Sequence, residues 1–319
     1  MSQSWRPTAS LEALRARAAL LARARGYFAD TGAVEVETPQ LSPTPVSDPL
    51  LDSIEVRLSG RPVPWFLQTS PEFAMKRLLA AGMGDCFQVC RVFRDGERGR
   101  LHLPEFTMIE WYRVGYSLDD MMDDVEGLVR RLSGSAGLPA RRLPYREVIL
   151  QAVGVDGLTG TARELRAALA ERKLDVPEDI HEDRDALLDL VMGALAGPAL
   201  GHDGPVMVHD YPASQASLAT LKTVDGMTVA ERFELYLGGM EIANGYHELA
   251  DPAEQRGRFE ADAATRRHLG KPAAIDQDLL AALEAGLPAC SGVALGFDRL
   301  AMHLLGLDRI DRVVSFTID

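Results

Sequence analysis

The hydrophobic positions change period repeatedly along this chain, and each change marks an element. From Ser10 to Thr31 apolar residues recur at helical spacing. Leu11, Leu14, Ala18 and Leu21 form one stripe, and Gly32 is the stop. Residues 34–38 alternate like a strand that ends at Pro39. A turn-rich loop covers 43–49, and 65–69 reads as a strand. Ser70-Pro71-Glu72 has the chemistry of a helix start: a hydroxyl at the cap, proline at the first helical position, an acid in the first turn. That helix is expected to reach about Gly82. Strands at 86–94 and 105–113 enclose a loop holding Arg98, Arg100, His102 and two glycines. A helix at 117–132 precedes a break at 134–142.

Residues 143–205 alternate short helices with Gly and Pro breaks and read as an insertion or helical subdomain. A strand is expected at 206–210. Segments 232–237 and 240–244 predict a hairpin around Gly238-Gly239. Helices follow at 251–269 and 276–285. A strand at 293–295 then leads through Gly296 into a helix at 297–305.

Bulk properties narrow the class. The chain has 319 residues, 46% hydrophobic and 25% charged, enough for a large core. A net charge of −13 argues against RNA as the main partner, because nucleic-acid binding draws on Lys and Arg. The cysteines Cys86, Cys90 and Cys290 are an odd set that fits reduced thiols packed in a core. No signal pattern or membrane-length apolar run is present, so a soluble, cytoplasmic protein is expected.

The candidate chemistry lies on a few elements. Period-two alternation puts Phe106, Met108, Glu110 and Tyr112 on one face of their strand. A carboxylate on a sheet face means either a solvent-exposed face or a polar pocket. Pairing across Gly238-Gly239 sets Tyr236 opposite Glu241 and Glu234 opposite Ala243. Glu234 and Glu241 are then diagonal neighbours, roughly 7–8 Å apart at the backbone. Such a pair is either a solvated acidic edge or a place for a divalent cation that also binds phosphate oxygens. Arg94 enters a glycine-containing loop, and Arg299 lies in the first turn of a helix. Each alone fits a surface ion pair; together with the acids they fit phosphate binding.

Two stretches then carry a resemblance. Phe93-Arg94-Asp95-Gly96-Glu97 with His102-Leu103-Pro104-Glu105-Phe106 resembles motif 2 of the class II aminoacyl-tRNA synthetases. Ser291-Gly292-Val293-Ala294-Leu295-Gly296-Phe297-Asp298-Arg299 resembles motif 3. The opening helix, strand and proline resemble motif 1, the family's dimer element. The likeness is to the lysine branch, in particular the short lysyl-tRNA synthetase paralogues that modify elongation factor P. It covers about Ser10 to Phe316.

The resemblance implies an α+β class II catalytic core, a mostly antiparallel sheet flanked by helices. It implies a single catalytic domain over 1–319 with a helical insertion around 143–205, and a homodimer. No N-terminal anticodon-binding domain is expected, since the motif 1 helix begins near residue 10. ATP and Mg²⁺ are the implied cofactors. Arg94, Glu241 and Arg299 are the implied catalytic set, with Arg94 on the α-phosphate and the substrate carboxylate and Arg299 on the far phosphates. Ser70, Pro71, Glu72, Glu110, Tyr112, Asn244, Tyr246, Glu248 and Ala294 would hold the amino acid. Asp95, Gly96, Glu97, His102, Leu103, Phe106, Ile242 and Gly296 would join Arg94, Glu241 and Arg299 around ATP, with Phe106 stacked on adenine. Glu234 and Glu241 would hold Mg²⁺.

Two positions depart from the family. The glutamate common two residues after the motif 2 arginine is Gly96 here, followed by Glu97, which is placed to substitute for it. The asparagine common after the motif 2 histidine is Leu103, which removes a donor to ATP. The implied activity is adenylation of (R)-β-lysine or lysine, then acyl transfer to a lysine of elongation factor P, in support of translation. Glycine is usual at position 294 in lysyl-tRNA synthetases and alanine in the paralogues, so Ala294 is expected to disfavour α-lysine. Charging of a tRNA or tRNA-like RNA and an inactive regulatory role remain as alternatives; tRNA is not the expected partner.

Overall fold

A long helix, α1 (Leu11–Asp30), opens the fold, with Ser10 Oγ accepting the Ala13 N–H at its start. The computed structural model describes residues 5–134 and 139–317. Four short strands follow: β1 (Val34–Glu35), β2 (Leu41–Ser42), β3 (Glu55–Val56) and β4 (Trp65–Leu67). Next come α2 (Glu72–Ala80), β5 (Cys86–Phe93), β6 (Glu105–Val114) and α3 (Leu118–Ser133). Beyond the break lie β7 (Arg141–Pro144), α4 (Tyr145–Val153), α5 (Ala162–Glu171), α6 (Arg184–Val191) and α7 (Gly197–Ala199). The chain then forms β8 (Val206–Pro212), β9 (Leu221–Val224), β10 (Met227–Leu237) and β11 (Met240–His247). It closes with α8 (Pro252–His268), α9 (Gln277–Gly286), β12 (Cys290–Gly296) and α10 (Phe297–Leu304).

Nine strands make one sheet in the order β1-β5-β6-β12-β11-β10-β8-β7, with β9 beside β10. Every pairing is antiparallel except the outer pairs β1–β5 and β7–β8. This is the mostly antiparallel α+β architecture anticipated above. Strands β2, β4 and β3 form a separate small sheet.

One face of the large sheet is dry. Helices α1, α3 and α10 pack there through Phe28, Val125, Leu128 and Leu300 on Ile109, Trp111, Val293 and Leu295. Phe28 stacks on Phe87 at 4.3 Å, and burying such a ring stabilises by roughly 1.5–3 kcal/mol. Asp124 of α3 accepts from Trp111 Nε1 at 3.0 Å and Arg113 Nε at 2.7 Å, tying the helix to β6.

The opposite face is covered only at its flanks. Met75, Leu79, Phe259, Leu280 and Leu283 of α2, α8 and α9 cover one side. Helices α4 to α6 cover the other through Ile149, Leu165 and Leu188, packed near Val206, Val208 and Tyr236. A trough remains above β6, β12 and β11.

Several expectations need correction. The buried stripe of α1 is Leu20, Ala24 and Phe28; Leu11 and Ala18 are exposed, because this alanine-rich helix carries apolar residues on more than one side. Pro71, not Ser70, occupies the cap position of α2. Segment 141–144 joins the sheet as β7, although Arg-Arg-Leu-Pro has no apolar alternation. The hairpin of β9 and β10 lies beyond the elements expected from the sequence, although Asp225-Gly226, with positive φ values of 49° and 77°, suits a tight turn. Part of the expected break, residues 135–138, lies outside the described residues.

Candidate active site

Register across the sheet assembles the site. Gln88 of β5 pairs with Glu110 of β6, Glu110 with Ala294 of β12, Ala294 with Asn244 of β11, and Asn244 with Glu234 of β10. Directly paired residues share a face, so these five side chains line one row. The adjacent row on that face is Cys86, Tyr112, Gly292, Tyr246 and Arg232. Small residues on β12 therefore form the floor of the trough, and polar residues form its walls. A Cβ on Gly292 would stand 2.3 Å from the Tyr112 ring and 2.4 Å from Glu248 Oε1. Glycine there keeps the pocket open.

The hairpin register differs from the sequence expectation. Tyr236 does face Glu241, but a bulge shifts the next pairs, so Glu234 opposes Asn244 rather than Ala243. The extra residue is Ile242. Its side chain enters the core with Ala243, leaving only its backbone for the trough.

One end of the trough is an acid pocket. Glu110 is 2% exposed and accepts from Ser70 Oγ at 2.7 Å and Tyr112 OH at 2.6 Å. Ser70 Oγ also accepts the Glu72 N–H at 3.0 Å, so the turn before α2 and strand β6 meet at one hydroxyl. Burial, reinforced by the charge of Glu72, pushes the Glu110 carboxyl up to about 8. Glu248 is raised to about 7 by burial and Glu72, even though Lys76 opposes the shift. Lys76 lies on α2, only 1% exposed, with Nζ 2.5 Å from Glu72 Oε1 and 2.6 Å from Glu248 Oε2. Burial disfavours its charge, but the two carboxylates outweigh that and raise its pKa.

Arginines gather at the other end. Arg94 stands over the Phe106 ring, 5.2 Å from guanidinium carbon to centroid, and its buried Nε has no partner among the described residues. Gly96 turns the loop with φ of 76°, a conformation that strains any residue with a Cβ. That turn brings Glu97 back to 4.0 Å from Arg94 and 3.4 Å from His102 Nε2. Arg299 donates to the Leu101 and Glu241 carbonyls at 3.3 and 3.0 Å and meets His102 Nε2. Burial and the Arg299 charge lower the His102 pKa, so a neutral ring accepts from the guanidinium.

The two hairpin acids differ. Glu241 is open to solvent at the floor of the cleft, yet surrounding protein and Glu234 push its carboxyl up to about 6. Arg299, Arg232 and Arg94 act in the opposite direction. Glu234 accepts from Arg232 Nη2 and from Tyr236 OH, both at 2.6 Å. Among the described residues no three His, Cys, Asp or Glu side chains cluster as a metal site. A cation at this pair would therefore complete its shell with ligand oxygens and water.

The residues expected from the sequence thus fall into two groups along one trough. Ser70, Glu72, Glu110, Tyr112, Asn244, Tyr246, Glu248 and Ala294 surround the acid pocket. Arg94, Asp95, Gly96, Glu97, His102, Phe106, Glu234, Glu241, Gly296 and Arg299 surround the arginine end. Pro71 shapes the turn before α2. Leu103 turns to the core beside Leu101 and leaves the cleft without a side-chain donor there.

Lys76, Arg232 and Gly292 also line the site, beyond the site residues expected from the sequence. Lys76 sits one helical turn after Glu72, a legible spacing, but its second partner Glu248 is distant in sequence. Arg232 donates to Asn244 Oδ1 at 3.3 Å, and Asn244 Nδ2 donates to Tyr246 OH at 3.0 Å. Gly292 was legible as the period-two partner of Ala294. His247 meets Ser291 Oγ at 3.0 Å.

Residues 3–319 match the family model for tRNA synthetases class II (D, K and N). Two similar proteins are the elongation factor P–(R)-β-lysine ligases of Salmonella typhi and Vibrio parahaemolyticus. Each is 46% identical over 321 aligned positions, covering 99% of this chain and 98% of the relative.

Proposed function

The chain belongs to the class II tRNA synthetases of the D, K and N group, and from that membership we propose that it is an ATP-dependent elongation factor P–(R)-β-lysine ligase. The observation that carries this reading is the buried acid pocket of Glu72, Glu110 and Glu248, which adjoins an arginine-lined cleft. Three carboxylates with one internal ammonium suit a diamino acid, and the arginines suit its carboxylate and a triphosphate. The names of the relatives supply the acceptor.

The first step joins a carboxylate oxygen of the amino acid to the α-phosphorus of ATP and expels pyrophosphate. The carboxylate is already ionised, so alignment and charge stabilisation do the work and no general base is required. Arg94, whose buried Nε has no partner among the described residues, is placed to bridge the carboxylate and the α-phosphate. Arg299 holds the outer phosphates, while Glu97 and His102 steady the two guanidiniums. Phe106 offers its ring to adenine, and Gly296 keeps the floor low.

In the second step the acceptor's lysine amine attacks the carbonyl carbon. An amide forms, AMP leaves, and the amine sheds a proton. Glu241, aided by Glu234, fits Mg²⁺: desolvation by the surrounding protein and the Glu234 charge raise its pKa, and a cation between the two carboxylates would offset that repulsion. Bound there, Mg²⁺ would supply positive charge to the phosphates.

Ala294 stands between Glu110 and Asn244 on the pocket floor. Its methyl group narrows the space beneath the amino acid and favours the displaced amine of β-lysine. The exposed apolar side chains of Leu11 on α1 and of Val34 support a homodimer. No described helix is long and apolar enough to cross a membrane. ATP–pyrophosphate exchange tests the reading. (R)-β-lysine should support the fastest exchange, α-lysine a slower one, and tRNA should accept no label. Exchange with neither amino acid would refute it.

A further inference from the structure

We propose that Lys76 is a positioning residue that serves as a built-in counter-cation and sets the charge of the amino acid the pocket accepts. The inference rests on the diamino-acid reading above and deepens it.

The argument begins with geometry. Lys76 points from α2 into the pocket and spans two carboxylates on separate elements, Glu72 at 2.5 Å and Glu248 at 2.6 Å. Glu72 starts α2, whereas Glu248 follows β11, so the ammonium pins a helix to the end of a strand. At 1% exposure it does not exchange its partners for water. Glu110 is the third carboxylate, held by Ser70 and Tyr112 rather than by a cation.

Charge then follows by counting. Three ionised carboxylates and one ammonium leave two negative charges. A diamino acid brings two ammonium groups, and its carboxylate lies at Arg94. The filled pocket is neutral, and a buried site tolerates little else. Without the Lys76 charge the same pocket would be one charge too acidic for this ligand.

The other titratable groups nearby do not alter the count. Tyr112, whose pKa is raised by burial and Glu110, and Tyr246, raised by burial, stay neutral. Burial pushes the thiols of Cys86 on β5 and Cys290 on β12 up to about 12. Asp85 acts on both thiols from farther out.

The test follows kcat/KM for (R)-β-lysine against pH in ATP–pyrophosphate exchange, using the full-length protein. Lys76→Met deletes the charge and keeps the length. Its acidic limb should move to higher pH by about 1–3 units, the shift expected when an opposite charge beside a carboxylate is lost. At pH 7 the amino-acid KM should rise about tenfold or more, while the ATP KM stays within about twofold. Lys76→Arg keeps the cation and should keep the limb in place. A Lys76→Met limb that stays put, or one that moves equally in Lys76→Arg, overturns the proposal.

A second measurement needs no variant. The Lys76 ammonium nitrogen, followed by NMR in the wild-type protein, should stay protonated up to about pH 10 and shift when (R)-β-lysine binds without ATP. A signal that titrates below its ordinary range, or ignores the amino acid, also overturns it. Wild-type exchange with (R)-β-lysine is the control: its absence refutes the function, whereas its presence with an unmoved limb refutes only the role of Lys76.

Discussion

Replacing Glu110 by glutamine should weaken amino-acid binding and also flatten its pH dependence. The amide keeps the shape, and its one oxygen can accept from Ser70 or from Tyr112 while its NH2 donates to the other hydroxyl, but it cannot answer an ammonium group. Truncating one partner of a buried charged pair typically costs about 2–5 kcal/mol. Part of that loss is offset here. A carboxyl at about 8 is mostly protonated at pH 7. Ionising it for the ligand costs about 1.4 kcal/mol. The net loss is about 1–4 kcal/mol, or roughly 5-fold to 1,000-fold in kcat/KM for (R)-β-lysine.

The wild-type value should climb steeply from pH 6 to 8 as Glu110 and Glu248 lose their protons. Glu110→Gln should rise no more than about twofold between pH 7 and 8, the remaining slope coming from Glu248, which titrates near 7. Stability runs the other way. Because the folded Glu110 pKa lies above the ordinary glutamate value of 4.5, its contribution is complete below about 4.5 and is lost as pH rises through about 8. The empty wild-type protein should therefore melt earlier than Glu110→Gln at pH 8, and (R)-β-lysine should narrow the gap. Pyrophosphate exchange over pH 6–8.5 and thermal melts at both ends of that range are the assays. An unchanged KM, or a wild-type slope retained between pH 7 and 8, would refute the reasoning.

Ala294→Gly should lower the ratio of (R)-β-lysine to α-lysine activation by about 5-fold to 150-fold, the effect of one methyl group in a tight pocket; an unchanged ratio removes Ala294 as the discriminator. Gly96→Glu restores the family's usual residue, yet it forces a side chain into positive φ at a cost of about 1–2 kcal/mol. It should raise the ATP KM rather than lower it, and a lower KM would show that Glu97 is not the substitute acid. Glu241→Gln should raise the Mg²⁺ concentration for half-maximal exchange about tenfold or more, and an unaltered Mg²⁺ titration would place the cation elsewhere.

Much of this site was legible because strands alternate. Glu110 and Tyr112 follow from period two in β6, whereas Ala294 and Gly296 were expected only through the resemblance to motif 3. The hairpin was legible from Gly238-Gly239, but its register was not. A bulge adds one residue without a distinctive composition, and Ile242 and Ala243 both satisfy the core. Lys76 was hidden for another reason. A lysine inside an amphipathic helix usually reads as solvated, and only the tertiary fold brings Glu248 against it. Strand β7 was hidden because its pairing with β8 places arginines and a proline at a sheet edge, where alternation is not required. In α1 the buried stripe is not legible in the sequence because alanines and leucines lie on several sides, and only packing on Phe87 and Trp111 selects Phe28 and its stripe.

The central claim is tested most directly by the intact mass of purified elongation factor P after incubation with this protein, ATP and Mg²⁺. Parallel reactions contain (R)-β-lysine, α-lysine or neither. The account predicts a gain of one lysyl mass, fastest with (R)-β-lysine and absent without amino acid. No gain with either amino acid, from a preparation active in pyrophosphate exchange, would contradict it and show that the activated lysyl group goes to another acceptor.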